Sequence, residues 1–167
     1  MKYPIINRIQ NVGMVTTYEG PLYIVQLLTI VALDGSIFYM MYVEDMKTFR
    51  IIHYKVLENP VKFYDAVSFI NAFIITLSGT VDIKDVILVF LKTSPFSNLG
   101  FLKYLCATEI ISSYYKRSEA LELYRAHKVA IKSLIINNPE NPENVIKVWN
   151  DLNPSQLYRI TTITKKQ

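Results

Sequence analysis

Two groups of side chains have the types and spacing to do chemistry. The first is acidic. Asp34 sits between two apolar runs, and Asp45-Met46-Lys47 follows one strand later. An aspartate followed on the next strand by Asp-x-Lys is the skeleton of a metal-dependent nuclease. In such a site two carboxylates hold Mg²⁺ and the lysine steadies the attacking water. The motif is short, however. Asp34 suits a tight turn and Asp45 falls in a second one, so turn chemistry competes with metal binding at both positions. No supporting acidic residue on a nearby helix stands out. No metal and no cofactor is therefore expected.

The second group is basic. Taken as one helix, Tyr104–Ile136 places Arg117, Arg125, Lys128 and Lys132 on one stripe, with Tyr114, Leu121 and Tyr124 in or beside it. Leu123, Ala126, Ala130 and Leu134 point roughly the opposite way. Cations at this spacing can follow phosphates, and tyrosines between them can stack on bases. A solvated helix face, with Glu119 and Glu122 as dilute counter-charges, produces the same pattern. A kink at Ser118 takes Arg117 and Tyr114 out of register. Arg125, Lys128 and Lys132 are expected to be exposed in either case.

The remaining reactive residue types are isolated. His53 and His127 have no neighbours at metal-ligand spacing and read as core or surface histidines. Cys106, among Leu102, Leu105 and Ile110, reads as a small apolar residue with no nearby cation to activate it. Asp82 and Asp85 suit the start of a helix.

The elements that must position these groups are legible from periodicity and turn residues. Leu22–Leu33 and Ser36–Val43 are apolar, β-branched and aromatic, and they flank Asp34-Gly35. That dipeptide predicts an antiparallel hairpin with a two-residue type I′ turn. Both runs are apolar on both faces, which predicts strands covered on two sides. Lys47–Leu57 is expected as a third strand after a turn at Glu44-Asp45, and Asn11–Tyr18 as a further one. Asn59-Pro60 predicts a helix start and Gly79 its end. A second helix is expected from Thr80 or Asp82 to about Thr93. A third starts at Ser97 or Asn98 and continues to Arg117 or through to Ile136. Asn141-Pro142 predicts a short helix, Pro142–Asp151, that holds the lone Trp149. Tyr158–Thr164 (YRITTIT) is β-like and is expected to return to a sheet edge or to fray.

The fold class that results is α+β: an N-terminal antiparallel meander of three to four strands packed against four to five C-terminal helices. Residues 1–167 read as a single domain, with a possible division into a β-rich part, 1–58, and a helical part, 59–167. The Leu22–Val43 stretch is long enough to cross a membrane, but its central Asp-Gly and β-branched bias argue against a span.

Composition bounds the function. Charged residues make up 19% of the chain and apolar ones 51%, which opposes disorder and favours a partner that covers apolar surface. The net charge of +4 leans towards nucleic acid or acidic partners. One cysteine excludes an internal disulfide and fits a reducing, cytoplasmic setting. The leading expectation is a non-catalytic binding or assembly subunit, a homo-oligomer or an obligate partner, in a nucleic-acid-associated complex. Direct nucleic-acid binding through the Arg117–Lys132 face and a nuclease built on Asp34, Asp45 and Lys47 are the alternatives.

Overall fold

The computed structural model describes residues 18–91, 95–115 and 122–152. Three strands come first: β1 (Leu22–Val31), β2 (Ile37–Asp45) and β3 (Ile51–Leu57). Helix α1 (Phe63–Leu77) leads through a 3-10 turn at Ile83–Asp85 to β4 (Ile87–Leu91). Helix α2 (Leu99–Ala107), β5 (Ile111–Tyr115), α3 (Glu122–Asn137) and α4 (Pro142–Asp151) follow. The strands form one sheet in the order β3-β2-β1-β4-β5. The first three are antiparallel, while β4 runs parallel to β1 and β5 parallel to β4. The α+β class and the antiparallel N-terminal meander are those the sequence indicates, and the sheet draws strands from both sides of residue 58.

The apolar character of β1 on both faces has a direct cause. It is the central strand, with helices against each side. Tyr23, Val25, Met41, Val43, Leu88 and Phe90 pack on α1 and α2 through Phe69, Ile70, Phe73, Phe101 and Leu105. On the opposite face Leu28, Ile30, Met40 and Tyr42 pack on α3 and α4 through Ala130, Ile131, Ile135 and Trp149.

The hairpin forms where expected but with a different turn. Gly35 N–H donates to Ala32 O (3.0 Å) and Ala32 N–H to Ser36 O (2.8 Å). Within this loop Gly35 takes a positive φ, +87°, and Asp34 does not. This is a three-residue loop, a type I turn closed by a left-handed glycine, rather than a two-residue type I′ turn. Helix α1 starts three residues later than Asn59-Pro60 implies, with Asp65 Oδ2 accepting the Lys62 N–H (2.9 Å). Asn98 and Asn141 do cap α2 and α4, accepting from Gly100 N–H (2.8 Å) and Asn144 N–H (3.1 Å).

Two segments expected as helix are strands. Asp82 caps only the single 3-10 turn, and the chain then extends into β4. Ile87, Leu88, Val89 and Phe90 are buried, alternating to both faces between β1 and β5, and periodicity cannot separate such a strand from a buried helix. Likewise α2 stops at Ala107, and Ile111–Tyr115 forms β5. A continuous helix from Tyr104 to Ile136 is therefore excluded. Among the described residues no helix is long and apolar enough to cross a membrane. The strand expected over residues 11–17, the one over 158–164 and the break at Ser118 lie outside the described residues.

Candidate nucleic-acid interface

The acidic constellation does not assemble. Asp34 lies in the β1–β2 loop and Asp45 at the far end of β2, about 27 Å away along a strand rising about 3.4 Å per residue. Asp34 Oδ1 accepts the Ser36 N–H (2.9 Å) and hydroxyl (2.6 Å), which hold its carboxyl below the usual range. Asp45 Oδ1 accepts the Lys47 N–H (2.8 Å) and Thr48 N–H (3.2 Å), shaping the turn into β3. A nuclease centre on Asp34, Asp45 and Lys47 is thus overturned by geometry, and both aspartates are turn residues. Open sheets with parallel strands bind ligands outside the carboxyl ends of those strands. Here β1, β4 and β5 contain no Asp or Glu.

The basic residues are placed differently from the expected stripe. Helix α3 buries Tyr124, Ala126, His127, Ala130, Ile131 and Ile135. Its inward face is thus rotated by about 60° from the Leu123–Leu134 stripe, at 100° per residue. The rotation carries Tyr124 into the core, where it is 6% exposed and donates its hydroxyl to Met46 O (2.7 Å). Burial, then the charges of Glu44 and Asp45, push its phenol far up. Tyr124 is therefore not placed to stack on a base. Arg125, Lys128 and Lys132 lie half-buried on the flank of α3 instead of fully exposed, and Val129, 52% exposed, points outward. Tyr114 belongs to β5, and Arg117 lies outside the described residues.

The three cations nonetheless act on one another. Arg125 pairs with Glu122 (3.2 Å). Among the described residues, neither Lys128 nor Lys132 meets a carboxylate within 4.0 Å. Burial pushes the Lys128 ammonium down, and repulsion from Lys132 and Arg125 lowers it further. Among the described residues Lys128 and Lys132 thus form an electropositive spot without a carboxylate partner, and an anion would relieve it.

Beneath the stripe is a buried polar network. Glu44 on β2 and His127 on α3 are 0% and 1% exposed, and Glu44 Oε2 lies 2.5 Å from His127 Nδ1. Burial raises the Glu44 carboxyl to about 7, against the opposing pull of His127. Gln26 Nε2 on β1 donates to Tyr124 O (3.1 Å). Among the described residues, Gln26 Oε1, Tyr42 OH and Glu44 Oε1 have no hydrogen-bond partner. Aromatic rings of Phe49, Tyr124 and Trp149 surround His127 at 5.1 to 5.7 Å. The pair ties α3 to β2 from within the core. The sequence held a signal for it: Gln26 is the only amide in a long apolar strand, and His127 falls between Tyr124 and Ile131 at helical spacing.

No protein-family model and no curated protein matches the chain. Solved structures do. A chain of the simian T-cell lymphotropic virus intasome in complex with PP2A regulatory subunit B56 gamma matches at 10% identity and TM-score 0.55, covering 78% of this chain and 47% of that one. This protein therefore spans about half the length of that relative. The HTLV-2 integrase catalytic core domain in complex with magnesium, in dimeric form, matches at 9% identity and TM-score 0.51, with 80% and 84% covered. The Mos1 transposase catalytic domain with Raltegravir and Mg matches at 12% identity and TM-score 0.57, with 92% and 85% covered. At these identities the likeness is one of fold: the chain has the architecture of integrase and transposase catalytic cores.

Proposed function

We propose that residues 1–167 act as one α+β domain, a non-catalytic binding or assembly subunit of a nucleic-acid-associated complex. The observation that carries this reading is the α3 cluster, in which, among the described residues, Lys128 and Lys132 have no carboxylate partner and Lys128 is repelled by Lys132 and Arg125. Phosphates bind such positions and release counterions. Arg125, Lys128 and Lys132 are the contacts, with Arg117 as a further one. The fold shared with integrase and transposase cores supports the association. The lack of Asp and Glu in β1, β4 and β5 opposes a metal-dependent cleavage role, which requires convergent carboxylates.

A protein partner, or a second copy, is supported by α1. Its exposed residues include Tyr64, Ser68, Asn71, Ala72 and Ile75, with no charge among them. An uncharged outer helix face of this kind suits an interface. The test is incubation of labelled DNA and RNA with the purified protein, in EDTA and in Mg²⁺. Binding in both with intact product is expected. Cleavage by the folded protein in Mg²⁺ would overturn the non-catalytic reading.

A further inference from the structure

Three polar contacts hold α3 on the sheet and the β2–β3 turn. Gln26 Nε2 donates to Tyr124 O, the Tyr124 hydroxyl donates to Met46 O, and Glu44 meets His127. Of the three, only the last joins two ionisable side chains. The groups around it are few. From β2 come Tyr42 and, at the next position, Asp45, whose charge bears on Glu44. From β1 comes Gln26, which carries no charge. Tyr124 on α3, Trp149 on α4 and Phe49 in the β2–β3 turn enclose the imidazole. Among the described residues no Lys or Arg nitrogen lies within 4.0 Å of Glu44, and Glu44 Oε1 has no hydrogen-bond partner. The charge of the contact therefore depends on a single proton. With it, carboxyl and imidazole are both neutral, or carboxylate and imidazolium cancel. Once it passes to solvent, one negative charge stays in the core, where burial opposes it.

We infer that the Glu44–His127 contact is a proton-operated latch: α3 stays docked on the sheet while the contact keeps its proton, and comes away when that proton is lost. Glu44 cannot itself move out to water, because β2 is paired on both sides, with β1 and β3. Helix α3 is held by side-chain contacts alone, so it is the part that opens. Burial, against the pull of His127, raises the Glu44 carboxyl from 4.5 to about 7, and Asp45 adds to the rise. Opening lets water reach the carboxyl and returns it to its ordinary range. Each pH unit between the two values thus favours the open form about ten-fold. Arg125 and Lys128, next in sequence to Tyr124 and His127, travel with the helix. A released helix of 16 residues is marginal in water, so its amides then exchange with solvent.

Amide hydrogen exchange of the full chain tests this, corrected for the intrinsic effect of pH and repeated in low urea. From about pH 6 to about pH 8 the opening constant at Ala130 and Ile131 N–H should rise about ten-fold. Low urea should hardly change it, as for a local opening. In Glu44→Gln, which keeps the shape of the side chain without its titration, the rise should vanish. The readout needs no nucleic acid, so it stands apart from the binding proposed for α3. An opening constant that does not change with pH overturns the inference, as does a rise that survives Glu44→Gln. A rise as sensitive to urea as global unfolding overturns it too, since the proton then governs overall stability and releases no helix. If Glu44→Gln does not fold, the pH and urea dependence of the unmodified chain decides alone.

Discussion

The two faces of the sheet are built differently. Towards α1 and α2 the core is aromatic, with Tyr23 edge-on to Phe73 (5.2 Å) and Phe90 edge-on to Phe101 (5.5 Å). Its histidine, His53, is partly buried and lies against Phe69 O (3.2 Å). Towards α3 and α4 the core includes Gln26, Tyr42, Glu44 and His127, and polar contacts tie α3 to β1, β2 and the β2–β3 turn. The face with buried polarity is also the face whose helix carries Lys128 and Lys132, which meet no carboxylate among the described residues. Apolar packing alone tolerates small shifts of a helix, whereas directional bonds at Tyr124 and His127 fix its rotation. Arg125 and Lys128 are next to those two residues in sequence, so the network sets where their charges point.

This contrast can be sharpened by stability measurements. Phe73→Ala on the apolar face should cost about 3 to 5 kcal/mol in urea unfolding, with the same loss at every pH. His127→Leu on the polar face should cost a similar amount, about 3 to 5 kcal/mol, because it leaves Glu44 buried without its partner. Adding Glu44→Leu to that variant should recover a large part. A double-mutant cycle without coupling would break the comparison.

The pH dependence separates the faces further. Folding raises the Glu44 carboxyl from 4.5 to about 7, chiefly by burial. Between those values the folded state binds more protons than the unfolded one. Its contribution to stability is therefore full below 4.5 and is lost as pH climbs through about 7. Urea midpoints should fall over that window in the unmodified protein, and this component of the fall should vanish in Glu44→Gln. A smaller effect belongs to neither face: Gly35→Val, at a φ of +87°, should cost about 1 to 2 kcal/mol. A midpoint unchanged by that substitution would contradict the turn described above.

Much of this was legible in the sequence, and what was not has physical reasons. The β1–β2 hairpin followed from Asp34-Gly35 between β-branched runs, although the loop length did not, because Asp-Gly serves both a type I′ turn and a type I turn with a left-handed glycine. Strand β4 was hidden because a short apolar run buried on both faces lacks a period of its own, and β5, ISSYY, is too short and mixed to show one. Hiding β5 fused α2 to α3, and that error moved Tyr114 onto the basic stripe. Tyr124 was misplaced for a related reason: Leu123, Ala126, Ala130 and Leu134 define an apolar stripe, but His127 and Ile131 extend it towards Tyr124. The Glu44–His127 pair joins residues 83 positions apart, and no local pattern connects them.

The central claim is that α3 presents a cation cluster to nucleic acid. The most direct test is a titration of labelled duplex and single-stranded DNA at several salt concentrations, comparing the unmodified protein with Arg125→Ala/Lys128→Ala/Lys132→Ala. Each phosphate neutralised contributes about 0.9 to the salt slope on duplex and about 0.7 on a single strand. Loss of three cations should therefore flatten the slope by roughly two to three units and weaken binding almost equally for every sequence. An unmodified protein that binds neither substrate at low salt, or a variant with an unchanged slope, would contradict the account.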